Sequence, residues 1–259
     1  PEKEEVFQKE KKNFSGEDIQ KIVERSDLSL KEKARSVYSE SLEIVENIFE
    51  NPSVDVLAKG KKEIYAIVDF ILANEETPVH LLDILSHDFY TYTHSVNVGV
   101  LAVALSKRLY KGSNAHDLQE LGAGYFLHDL GKVRVDPGII NKPGPLDERE
   151  MKTMKTHPYQ GYKLLREAEQ LSFETKVIVM QHHEREDGTG YPKGLRGEEI
   201  HDYGRVGCIA DVFDALTAER SYKRSLTPFQ ALKIMKEEMI GHFHREIFEK
   251  FVRLFAASR

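Results

Sequence analysis

The chemistry this chain can do is concentrated in a few histidines and aspartates, most densely in Gln181 to Pro192, QHHEREDGTGYP. His182 and His183 end an apolar run of Val177, Ile178, Val179 and Met180. Adjacent residues on a helix point about 100° apart, so two neighbouring imidazoles cannot serve one core face. They can reach two metal ions in one pocket, or span one ion and its neighbour. Alone, the pair reads equally well as cations complementing a helix C-terminus. What converges with it decides. Five of the eleven histidines, His94, His128, His157, His182 and His183, fall where the helical pattern ends or breaks. Asp129 follows His128, and Asp211 lies in the otherwise apolar IADVFDAL, where an unpaired buried carboxylate would be costly. Imidazole with carboxylate suits Fe, Mn, Ni, Cu or Zn, and the lack of thiolate argues against a structural zinc. These seven groups are too many for one ion. They suit two ions a few ångströms apart, with a carboxylate such as Asp129 bridging. Such a pair activates a water as hydroxide and clamps the attacking and leaving oxygens of a phosphoryl centre. Lys132 lies four residues after His128 in HDLGK, so on a continuing helical turn both face one site. It can neutralise a phosphate or protonate a leaving oxygen, with an ordinary dipole-complementing lysine as the competing reading.

The elements that must position these groups read as helices. The first residues, to about Gly16, are mostly Lys and Glu and predict a frayed segment. Ser29 precedes a helix with Val37, Ser41, Ile44, Val45, Ile48 and Phe49 at near-helical spacing, and a second runs from about Val54 to Ala73. From Pro78 on, helices follow one another with short turns. They are expected over Thr93 to Tyr110, Ala115 to Leu130 with Gly131 closing it as an αL cap, Phe173 to His183, and Arg205 to Glu219. Pro137 to Pro145 and Asp187 to Asp202 read as loops. Asp147 with Glu150, and Thr227 with Pro228 and Gln230, have the spacing of helix starts, and Pro158 starts another helix. The expected fold class is all-α, a helical bundle behind a smaller N-terminal helical segment. The division is 1–77, linking or regulatory, and 78–259, carrying the chemistry.

Composition narrows the function classes. With 259 residues, 40% hydrophobic and 31% charged, the chain has ample material for a core. A net charge of −6 leaves no basic footprint for a DNA or RNA duplex. No apolar run approaches the roughly 20 residues that span a bilayer, and no secretory segment opens the chain. The single cysteine, Cys208, excludes an internal disulfide and fits a reducing, cytoplasmic location. Opening on Pro1 points to a piece of something longer.

Taken together, HDLGK at His128 to Lys132, HPYQG at His157 to Gly161, QHHEREDGTGYP and IADVFDALTAERSYK from Ile209 resemble the HD-GYP family of the HD phosphohydrolase superfamily. The resemblance runs from about Tyr90 to Lys223. It implies an HD-superfamily bundle and a di- or trinuclear centre, commonly of iron or manganese, with Ni, Zn, Mg or Ca as further candidates. It implies hydrolysis of cyclic di-GMP to pGpG, and often on to GMP, by a metal-bridging hydroxide; some members prefer 3′,3′-cyclic GMP-AMP. Carried over position by position, the metal ligands would be His94, His128, Asp129, His157, His182, His183 and Asp211. Asp129 and Lys132 would be catalytic. Lys132, Gly190, Tyr191, Pro192, Arg220 and Lys223 would contact substrate. Trinuclear members place an acidic ligand one turn before the first histidine; here that position is Tyr90, so a binuclear centre is expected, with nearby Asp88 as the acid that would serve a third ion. A sensor or docking module without turnover, reaching a cyclase domain through the GYP loop, is the rival from another class. The N-terminal segment is a candidate for regulation or for pairing two chains. His80, His87, His116, His201, His242 and His244 read as surface or loop residues, and Asp214 as a partner of a ligand. Glu184 reads as orienting a ligand or capping its helix, and Asp187 with Gly188 as shaping the turn before Tyr191.

Overall fold

The computed structural model describes residues 18–85, 91–218 and 225–255, and every regular element among them is a helix. Two short helices not read from the sequence, α1 (Ile19–Glu24) and α4 (Thr77–Leu82), flank the long α2 (Leu30–Glu50) and α3 (Val54–Ala73). Then follow α5 (Thr91–Leu109), α6 (Leu118–Phe126), a 3-10 turn over Leu130–Arg134, and the one-turn α7 (Pro137–Ile140). The rest is α8 (Glu148–Met154), α9 (His157–Glu167), α10 (Phe173–Gln181), α11 (Asp202–Thr217), α12 (Pro228–Glu237) and α13 (Arg245–Val252).

Helix starts follow local chemistry. Ser29, Asp147 and Thr227 each accept from the third backbone N–H of their helices, while Glu32, Glu150 and Gln230 reach back to the cap, so two orphan donors are met at each start. Two stops fall short of the expected bounds. The helix expected to run to Leu130 ends at Phe126, and the one expected to reach His183 ends at Gln181. Pro137 to Pro145, expected as a loop, carries α7, started by Asp136 accepting from the Gly138 N–H with Pro137 at the first position. Gly131 is not an αL cap. It lies inside the 3-10 turn, where a Cβ would sit 1.9 Å from the His157 carbonyl oxygen and 2.4 Å from the Gly161 nitrogen. A missing side chain there lets the turn and α9 touch backbone to backbone.

Helix α5 is the axis. Every residue from Ser95 to Ser106 is buried, because α2, α3, α4, α6, α11 and α13 all pack on it. A helix apolar all round is one surrounded on all sides. Helices α2 and α3 bring Val37, Ile44, Val45, Ile48, Ile64, Ile67, Val68 and Ile71 into this same core, which continues through Leu101, Phe126 and Ile178. Polar ties cross the expected 77/78 division too. Buried Lys61 on α3 pairs with Glu120 on α6 at 2.8 Å and donates to the Gln170 carbonyl at 2.9 Å, and Tyr65 donates to the same Glu120. No described helix is long and apolar enough to cross a membrane.

Candidate metal centre

Three of the histidines sit just where a helix runs out of backbone partners. The last carbonyls of a helix lack N–H donors, and an imidazole Nδ1–H can supply one. His128, two residues past α6, has Nδ1 2.8 Å from the Tyr125 carbonyl. His157, opening α9, has Nδ1 2.8 Å from the Met154 carbonyl at the end of α8. His182, capping α10, has Nδ1 3.0 Å from the Val179 carbonyl and 3.1 Å from that of Ile178. A carbonyl only accepts, so each Nδ1 carries the proton and each Nε2 presents a lone pair inward.

Those lone pairs meet one another. His157 Nε2 lies 3.2 Å from His182 Nε2, and the buried His128 Nε2 has no hydrogen-bond partner. Burial holds both rings neutral: it pushes His157 down to about 4, Asp129 pulling the other way, and His182 well below its ordinary value, with neighbouring histidines adding to the effect. Two acceptors at hydrogen-bond distance with no proton between them repel, and a cation between them removes the conflict. Asp129 is fully buried beside them, with His157 Nε2 3.2 Å and His182 Nε2 3.8 Å from an Oδ1 that has no hydrogen bond. Burial would raise its pKa, but Lys132 and His128 outweigh that and hold it well below the carboxylate range.

Two donor clusters result, and they share a member. Asp129, His157, His182 and His183 offer atoms all within 4.8 Å of one another, and so do His94, His128 and Asp129. Asp211 spans both, with Oδ1 3.0 Å from His94 Nε2 and Oδ2 3.2 Å from His183 Nδ1. Behind His94, Asp214 accepts from Nδ1 at 2.7 Å. Burial disfavours an imidazolium there, yet the hydrogen bonds to Asp211 and Asp214 prevail and raise His94 to about 10. The Nε2 proton thus occupies the place a cation would take. Imidazole nitrogens with shared carboxylates, unpartnered buried acceptors and no sulfur fit divalent transition metals, so the residues suit the group.

The centre floors a cleft of about 410 Å³ lined by His94, Lys132, His157, His183, Tyr191 and Asp211. Lys132 reaches Asp129 Oδ2 across the 3-10 turn, a spacing of three, so no continuing α-helix is needed. Tyr191 packs its ring 4.5 Å from that of His183, and burial, with Asp211 and Asp129 adding to it, raises its phenol well above the ordinary range. Of the GYP loop only Tyr191 lines the cleft; Pro192 is exposed, and Gly190 sets the loop's path, since a Cβ there would lie 2.5 Å from the His183 carbonyl oxygen. Glu184 neither orients a ligand nor caps its helix. Its buried carboxylate accepts from the backbone N–H groups of Lys193 and Leu195, at 2.8 and 2.9 Å, and so pins the returning end of the loop. Asp187 accepts from Thr189 N at 2.9 Å and forms the turn before Gly190.

All seven expected metal ligands therefore come together, with Lys132 and Tyr191 at the rim. Arg220, Lys223, Tyr90, Asp88 and His87 lie outside the described residues. His116 is not a free surface histidine: its Nδ1 lies 2.7 Å from the Tyr203 hydroxyl and its ring stacks on Tyr110. Sequence reasoning missed the facing wall of the cleft, where Asn141, Lys142 and Met154 project, Lys142 held by Glu150. It also missed Asn97, whose one signal was a polar residue amid the apolar face of α5.

Comparison with known proteins gives the chain its family. A model of the HD domain matches residues 81–247. The cyclic di-GMP phosphodiesterase PA4108 of Pseudomonas aeruginosa is 37% identical over 183 residues, 71% of this chain and 44% of that protein. The 3′3′-cGAMP-specific phosphodiesterase 2 of Vibrio cholerae is 43% identical over 129 residues, 49% of this chain and 24% of that protein. Against the P. aeruginosa relative the chain thus spans less than half the length, and against the V. cholerae relative about a quarter. Bd1817, an HDG"Y"P protein from Bdellovibrio bacteriovorus, shares the fold with a TM-score of 0.76 over 92% of this chain and 77% of that one, at 22% identity. The chain belongs to the HD domain family, and within it carries the HD-GYP set of motifs.

Proposed function

We propose that this chain is a metal-dependent phosphodiesterase that hydrolyses cyclic di-GMP to pGpG, with GMP as the further product. The observation that carries the reading is the pair of imidazole–carboxylate clusters joined through Asp129 on the floor of one cleft. His94, His128, Asp129 and Asp211 would hold one divalent cation and Asp129, His157, His182 and His183 the other, iron or manganese being the metals this donor set suits. Two cations so held supply Lewis acidity and lower the pKa of water at a phosphoryl centre.

The chain's own groups do the rest. Lys132, beside Asp129 and open to the cleft, is placed to neutralise charge on a phosphoryl oxygen or to protonate the departing 3′ oxygen. Tyr191 keeps its proton, so it offers a hydrogen-bond donor at its tip to the substrate. Its ring already carries the Lys155 ammonium 5.4 Å away. Arg220 and Lys223 are assigned to the substrate's phosphates or base by motif position. Residues 1–77 are read as the regulatory part, 78–259 as the catalytic part, and the exposed Pro192 edge of the loop as a contact for a cyclase domain. A cytoplasmic location follows from an intracellular second messenger as substrate.

The test is turnover of cyclic di-GMP, followed by chromatography, with anaerobically purified protein of known iron or manganese content. Product is expected from the wild type, and a loss of more than about 100-fold from Asp129→Ala, since removing even an outer partner of a ligand costs about 10- to 100-fold. Absence of product at full metal loading would overturn the reading for this substrate. Preference for 3′,3′-cyclic GMP-AMP is the second reading, favoured by the V. cholerae relatives named for it, and parallel turnover of both dinucleotides separates the two. Tight binding of either without hydrolysis would mark a sensor.

A further inference from the structure

Helix α2 lies outside the matched HD domain, yet one line of hydrogen bonds carries it to the candidate centre. The buried Tyr38 hydroxyl donates to Asn97 Oδ1 at 2.8 Å. Asn97 Nδ2 donates to Asp214 Oδ1 at 2.7 Å, and Asp214 Oδ2 accepts from His94 Nδ1 at 2.7 Å. Each step has a forced direction. The carboxylate only accepts, so the amide must turn its NH₂ toward Asp214 and its oxygen toward the phenol. With Nδ1–H spent on Asp214, the His94 ring turns Nε2 to Asp211 at 3.0 Å and to Asp129 at 3.6 Å. The spacing suits the task. His94 and Asn97 stand three apart on α5, and Asp211 and Asp214 three apart on α11, so each helix offers one group to the centre and one behind it.

We propose that Tyr38 is a positioning residue for the metal centre: through Asn97 and Asp214 its hydroxyl fixes the tautomer and rotation of the His94 ring, and so sets the cation affinity of the His94 side. The inference rests on the metal-centre reading above. It also makes the two sides of the centre unequal. His157 and His182 take their orientation from carbonyls at helix ends, and His94 takes its own from the line that starts at Tyr38.

The experiment titrates manganese into the full metal-free chain by calorimetry, with metal content checked by elemental analysis, for wild type, Tyr38→Phe and Ile48→Val. Tyr38→Phe removes only the hydroxyl; Ile48→Val loosens the same helix away from the relay. In Tyr38→Phe one of about two sites should weaken by about 3- to 10-fold, a step below the loss seen when a ligand's direct partner is removed, while the other holds. Ile48→Val should leave both unchanged. Unchanged affinities in Tyr38→Phe, equal weakening of both sites, or the same loss in Ile48→Val would each overturn the positioning role. A wild type that takes up fewer than about two manganese ions would instead sink the metal-centre reading itself.

Discussion

A histidine at a helix end can bond the last carbonyls or serve a metal, and in this protein the same ring is placed for both. His128, His157 and His182 each give Nδ1–H to a terminal carbonyl and turn Nε2 toward the two clusters that share Asp129. The capping role fixes the tautomer that ligation needs, so the two readings that compete in the sequence are one arrangement in space. Gly131 belongs to the same scale. Its hydrogen lets the turn that carries Asp129 lie against the helix that carries His157. Gly131→Ala should force these backbones apart, lowering the melting free energy by about 1–3 kcal/mol, the usual cost of overpacking, and reducing bound manganese at fixed free metal. Thermal melts with elemental analysis check both. A variant with wild-type stability and metal content would show that the contact yields without consequence.

Among the elements, α6 and α10 carry candidate ligands just past their ends, and α3 holds α6 in place. The tie is polar: Lys61 and Tyr65 on α3 converge on Glu120, which also lies within reach of Thr175 on α10. Burial would raise the Glu120 pKa, but the hydrogen bonds from Lys61 and Tyr65 prevail and hold it below its ordinary value near 4.5. A carboxylate depressed in the folded state adds stability at any pH above its unfolded pKa. That contribution fades as the pH falls below about 4.5 and is gone once it has passed through the folded pKa. Denaturation followed from pH 7 to pH 3 should show wild type losing its advantage over Glu120→Gln across this acid window. Parallel curves throughout would contradict it.

For the molecule as a whole, the question is whether helices α2 and α3 are a separate unit or part of the fold. One apolar core runs from Ile19 and Ile67 through Leu101 to Ile178 without a break at 77/78. The expectation is a single cooperative unfolding step, seen alike by a probe of helix content and by a probe of the cleft such as the emission of Tyr191→Trp in a chain with no other tryptophan. Ile67 is 1% exposed, and Ile67→Ala should lower the stability of that one step by about 2–5 kcal/mol. Two resolved transitions, with only the first moved by the substitution, would instead mark a detachable N-terminal unit.

The order and kind of elements were legible because they rest on local chemistry. Capping pairs such as Asp147 with Glu150, the 3.6-residue recurrence of apolar side chains in α2 and α3, and the run of motifs from HDLGK to the GYP loop are properties of neighbours in the chain. Those same motifs name five of the seven side chains that converge on one centre, His94 and Asp211 lying outside that run. The tertiary structure decided what depends on distance across the fold. The near-contact at Gly131, the use of Glu184 as a loop anchor, and the line from Tyr38 to His94 all join residues from different elements or from opposite ends of a loop. Nothing in the local pattern records them, because a hydrogen bond between residues 38 and 97 leaves no periodicity in either helix. Patterns along the chain report which groups are present; only packing fixes which of their nitrogens and oxygens meet.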